Sequence, residues 1–118
     1  MPSRLLDTNV LIRHFTRDDP TKADRALALL ESVARGQEAL TTPPVVVFET
    51  VFTLERSYKV PRDRIREQPL SVLALRGLSL SNKSRYYRAL DLYLQYPSLS
   101  FADVFNVAAM ETQRLTEL

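Results

Sequence analysis

The stretch Leu5-Leu6-Asp7-Thr8-Asn9 constrains the fold of this chain more than any other. A short apolar run ends in a carboxylate and passes without a linker into the helical pattern Val10, Leu11, Ile12 and Phe15. Apolar residues three and four apart make one face of an α-helix, whereas a brief apolar run ahead of them suits a buried strand. A strand feeding directly into a helix is half of an α/β unit. It delivers Asp7 to the carboxyl edge of a sheet, where open α/β sheets bind their ligands.

The same alternation continues along the chain. Strands are expected at about 3–7, at about 38–41 and at Leu78-Ser79-Leu80, with a first helix at about 9–15. Asp19-Pro20 supplies an N-cap and a proline at the first helical position, opening a second helix that runs through Ala26, Leu30 and Val33 to Gly36. Pro43-Pro44 opens a third, reaching about Tyr58, and Pro61 a fourth. Pro69 lies inside the fourth pattern and removes a backbone donor, which predicts a break or kink near Gln68. Gly77 then ends the segment as a C-cap. A fifth helix is expected from Lys83 to Tyr96, stopped by Pro97, and a last one from Ser100 to the end of the chain. No repeat, low-complexity tract or linker intervenes. The expected fold class is therefore α/β, a short central parallel sheet flanked by helices, with residues 1–118 as a single domain.

A chain of 118 residues with 45% hydrophobic content has room for one core. The absence of cysteine excludes disulfides and thiolate metal sites, and fits a reducing compartment. No signal-peptide core follows the N-terminus, and no uncharged apolar run approaches the roughly 20 residues that span a bilayer. A soluble, cytoplasmic protein without membrane contact is the expectation.

Glu49, in Val45-Val-Val-Phe-Glu-Thr, and Asp103, in Ser100-Phe-Ala-Asp-Val-Phe, are two further acids in apolar settings. Each of the three has a plain structural reading beside the chemical one. Asp7 suits the N-cap of the helix behind it. Asp103, three residues after Ser100, suits a capping box. A helical wheel places Glu49 beside Val45 and Phe52, but it also places Glu55 among Phe48, Val51 and Phe52, so periodicity does not choose between them. Taken together, converging carboxylates repel and need a compensating cation. Oxygen ligands select Mg²⁺ or Mn²⁺, ions that lower the pKa of water and neutralise a phosphodiester.

Setting those three acids aside leaves sixteen cations against eleven anions, and thirteen of the cations are arginine, the side chain whose planar fork suits phosphate. A basic rim around an acidic centre is what a metal-dependent nuclease needs. The clusters Arg62, Arg64, Arg66 and Lys83, Arg85, Arg88 are the candidates for a surface that faces RNA or a partner protein, with solvated helix faces as the alternative. His14 reads as a surface or boundary residue, and Tyr86, Tyr87, Tyr93 and Tyr96 as a packing or dimer face rather than a base-stacking platform.

The run Leu5-Leu6-Asp7-Thr8-Asn9-Val10-Leu11-Ile12 resembles the first motif of the PIN domain. Val47-Phe48-Glu49 after Pro43-Pro44, and Ser100-Phe101-Ala102-Asp103 followed by Ala108-Ala109, resemble its second and third. The resemblance covers essentially the whole chain and is closest to the VapC-type toxin ribonucleases of bacterial toxin–antitoxin pairs. It implies that Asp7, Glu49 and Asp103 are catalytic and hold Mg²⁺ or Mn²⁺, directly or through water, with Thr8 and Asn9 supporting Asp7 by hydrogen bonds. It further implies an endoribonuclease that hydrolyses RNA with metal-activated water, a homodimer, and a cognate antitoxin as partner. Asn106, one turn beyond Asp103, stands where family members more often carry an aliphatic residue. PIN domains usually continue into a strand with a fourth acid, so a PIN-like domain truncated at its C-terminus and lacking its last strands is expected here. That departure motivates an alternative, a degenerate PIN domain that binds RNA or a partner protein without cleavage. A haloacid dehalogenase type of phosphatase would need a second Asp where this chain has Asn9.

Overall fold

The computed structural model describes residues 4–117, with side chains described through Thr112. The expected start of the first strand at Ser3 and the end of the last helix at Leu118 lie outside the described residues. Three two-residue strands, β1 (Arg4–Leu5), β2 (Leu40–Thr41) and β3 (Leu78–Ser79), form a parallel sheet in the order β1-β2-β3. Arg4 pairs with Leu40 and Leu5 with Thr41, while Leu40 pairs with Leu78 and Thr41 with Ser79. The helices are α1 (Thr8–Thr16), α2 (Pro20–Ala34), α3 (Pro44–Arg56), α4 (Arg62–Leu73), α5 (Lys83–Gln95) and α6 (Phe101–Glu117). This is the expected α/β architecture. Because the strands run the same way, their carboxyl ends share one edge, from which Asp7 and Thr42 leave.

The strands are shorter than their apolar runs suggested, for local reasons. Leu6 still donates to Thr41 O (2.9 Å), but Asp7 already caps α1. At the other ladder, Gln37 and Glu38 both donate to Ser32 O (2.9 and 3.3 Å), so the chain is still closing α2 where strand was expected. Gly36 makes that exit possible with φ +76°, a left-handed conformation that costs a residue without Cβ little. Gly77 serves a different purpose, close backbone approach. Its N–H donates to Val33 O (3.0 Å) and its carbonyl accepts from Leu40 N (2.9 Å), and a Cβ there would stand 2.8 Å from Val33 O.

The break predicted at Pro69 does not occur, and α4 runs through it. The ring removes one i to i−4 bond, a cost of about 3 kcal/mol in an exposed helix. Pro69 is instead buried, sharing a core pocket with Leu6, Leu11, Val47 and Val72, and that burial offsets much of the loss. Ser71 Oγ also donates to Gln68 O (2.6 Å). The core centres on Leu40 of β2, with Leu54, Ile65, Leu90 and Tyr93 fully buried from α3, α4 and α5. Phe48 of α3 meets Phe101 and Phe105 of α6 edge-on, with ring centroids 5.1 and 5.0 Å apart. Those contacts lay the first turns of α6 against the second turn of α3. No helix among the described residues is long and apolar enough to cross a membrane.

Candidate functional site

Asp7 ends β1 and is the N-cap of α1, its Oδ1 accepting from Asn9 N (3.1 Å). The capping reading of Asp7 is therefore realised, and Asn9 supports the carboxylate through its backbone. Thr8, next along the chain, points its hydroxyl elsewhere: Oγ1 donates to Glu49 Oε2 (3.0 Å). This bond ties the carboxyl end of β1 to the second turn of α3 across 41 positions of sequence.

Glu49 and Glu55 differ in their surroundings. Glu55 faces Arg62, whose Nη2 lies 3.5 Å from its Oε1. Arg62 also donates to Tyr93 O (2.7 Å) and lies over the Tyr93 ring, 3.9 Å from its centroid. Burial, and then the charge of Glu55, push the Tyr93 phenol far above its ordinary pKa. Glu55 thus belongs to a structural clamp. Glu49 carries no such cation, and the face it shares with Val45 and Phe52 is exposed (55% and 59% for these two), contrary to the apolar setting expected for it.

Asp103 completes a reciprocal capping box: its N–H donates to Ser100 Oγ (3.1 Å) and its Oδ2 accepts from Ser100 N (3.3 Å). It is exposed, as is Asn106 one turn on. No ion pair among the described residues includes Asp7, Glu49 or Asp103. Each capping or hydroxyl contact engages one carboxylate oxygen and leaves lone pairs on the other. As a donor set, hard oxygens without a competing guanidinium suit a hard divalent cation. The geometry goes only part of the way. Thr8 links the elements that carry Asp7 and Glu49, yet among the described residues no three acidic or histidine side chains stand close enough to hold an ion between them.

Within the two basic clusters, three arginines have carboxylate partners. Arg62 is held by Glu55 and Tyr93, Arg66 by Asp91 (2.7 Å), and Arg88 by Glu111 (3.0 Å), while the Nε of Arg85 is buried. Each paired guanidinium has found its carboxylate on another helix or beyond a turn, which a count of local charges does not reveal. Of the tyrosines, Tyr86 and Tyr93 are core residues, in keeping with packing, whereas Tyr96 is exposed. His14 is half-buried, a boundary residue as expected, and burial followed by the charge of Arg17 holds its imidazole below the ordinary value.

Sequence reasoning passed over Thr42. It leaves β2 at the carboxyl edge, 3% exposed, with a buried hydroxyl that has no protein partner. Beside it an open groove of about 360 Å³ runs between Pro43-Pro44 and Ser79-Leu80. The available signal was position, since Thr42 ends the second apolar run as Asp7 ends the first.

A parallel sheet flanked by helices, with Asp7 leaving its carboxyl edge and Thr8 bonded to Glu49 of α3, defines an α/β protein. The sequence profile of the PIN domain family matches residues 4–118, and the chain belongs to that family, whose members are typically metal-dependent nucleases. No significant match to the chain exists among curated proteins or solved structures.

Proposed function

We propose that this protein is a metal-dependent endoribonuclease, the toxin component of a toxin–antitoxin pair, with Asp7, Glu49 and Asp103 as its catalytic acids. Membership of a nuclease family supports the hydrolase class. The observation that carries the assignment to these residues is the Thr8–Glu49 bond, which brings an unpaired acid of α3 to the residue behind Asp7. Mg²⁺ or Mn²⁺, held by the three carboxylates directly or through water, would lower the pKa of a water and offset the charge of the scissile phosphodiester. The chain's own contribution is to aim the acids: Asn9 N fixes Asp7, Thr8 fixes Glu49, and Ser100 fixes Asp103. A homodimer and a cognate antitoxin belong to the same proposal, as does a single domain over residues 1–118.

Incubation with a mixed-sequence single-stranded RNA tests the reading. Cleavage should require Mg²⁺ or Mn²⁺ and stop in excess chelator. Cleavage that persists in chelator overturns the metal mechanism, and RNA binding without cleavage under any divalent ion would establish the non-cleaving alternative instead.

A further inference from the structure

Six arginines of the described residues are tied to carboxylates: Arg4, Arg17, Arg35, Arg62, Arg66 and Arg88. Arg13, Lys22 and Arg25 are not, and the fold brings these three together along a groove of about 230 Å³ between α1 and α2. Val10, Ala26 and Leu29 complete its lining. Of the neighbouring acids, Asp24 pairs with Arg17, and Asp19 caps α2 by accepting from Lys22 N (3.2 Å). A groove with apolar walls and three cations that pair with no carboxylate among the described residues is complementary to an anion.

We infer that this groove seats the phosphodiester backbone of a single-stranded RNA, with Arg13, Lys22 and Arg25 on phosphates and the apolar lining against sugar and base faces. The inference rests on the ribonuclease reading above and adds to it the surface that holds the strand. Position supports it: Asp7 caps α1, and Arg13 on the same helix lies six residues on, about 9 Å along the axis at 1.5 Å per residue. Chemistry supports it as well, since a guanidinium offers a fork to phosphate and the lysine a point charge. Sequence gave little sign of the groove, because its cations come from two helices and no run of basic residues marks them.

The test is the salt dependence of binding to a fluorescent single-stranded RNA in excess chelator, where the strand stays intact. Each phosphate contact contributes about 0.7 to the slope of log affinity against log salt for a single strand, so the triple variant Arg13→Ala, Lys22→Ala, Arg25→Ala should lower the slope by about 2. Between 50 and 200 mM salt the wild type should then lose about 20-fold more affinity than the variant. Lys22→Ala with Arg25→Ala changes exposed α2 side chains alone and should lower the slope by about 1.4, which keeps the test open if the triple variant does not fold. Arg88→Ala, taken from an ion pair, should leave it unchanged. Unchanged slopes in the variants of a wild type that cleaves RNA would overturn this inference alone. A wild type that neither binds nor cuts RNA would overturn both.

Discussion

Helix α3 carries two carboxylates six residues apart, and the fold uses them in opposite ways. Glu55 meets a guanidinium that is itself pinned to a carbonyl and an aromatic face, so its charge is neutralised inside the framework. Glu49 accepts only a neutral hydroxyl and stands exposed beside the edge where β1 ends. A carboxylate with a cationic partner stabilises the fold. A carboxylate whose charge the protein leaves uncompensated has lone pairs to give to something else. The two residues are alike in sequence context, so the contrast lies in tertiary partners.

The largest expected effect separates them by chemistry. Glu49→Gln should lower RNA cleavage at least about 100-fold, near 2.7 kcal/mol of barrier. Its stability should change by less than about 0.5 kcal/mol, as for a surface substitution. Glu55→Gln should keep cleavage within a few-fold. Equal losses in a steady-state cleavage assay would erase the distinction.

Next in size is the converse. Arg62→Met removes the partner of Glu55, a hydrogen bond to Tyr93 O and the stacked cation. Glu55 is partly solvated, which discounts the ion-pair contribution, so the loss should be about 2 kcal/mol. Urea unfolding measures it, and a midpoint within error of wild type would show the clamp to be ornamental.

Thr8→Val tests the link itself. It deletes the hydroxyl that holds Glu49 and should slow cleavage about 10-fold with about 1 kcal/mol or less of destabilisation. An unaffected rate would mean that Glu49 does not depend on Thr8 for its position.

The smallest effect isolates the one histidine from both acids. His14 is held below its ordinary pKa by burial and then by Arg17, so the unfolded chain takes up a proton at a pH where the folded chain does not. Stability should therefore fall as pH drops below about 6.5 and level off beneath the folded value. His14→Gln should flatten that slope between pH 7.5 and 6, and a slope unchanged by the substitution would assign it to other groups.

What the sequence made legible follows from range. The α/β alternation, the cap at Asp19, the cap at Asp7 and the box of Ser100 with Asp103 all act within three residues, and the structure has each of them. The partners of Arg66 and Arg88 lie 25 and 23 positions away, and that of Glu49 lies 41 away, so no local pattern announces them. The wheel that grouped Val45, Glu49 and Phe52 was right about the shared face but could not tell that the face is exposed. Pro69 does not break α4 for a related reason: its local cost is legible, and the core that offsets it is not.

The most direct test compares the melting temperature of wild type, Glu49→Gln and Glu55→Gln with and without Mn²⁺ or Mg²⁺. A site with a dissociation constant of about 1 mM, exposed to about 10 mM ion, gains roughly 1.4 kcal/mol, on the order of 5 °C for a domain of this size. If Glu49 helps to hold the ion, wild type and Glu55→Gln should both show that rise and Glu49→Gln should lose most of it. Equal rises in all three proteins would contradict the assignment of Glu49 to the metal centre.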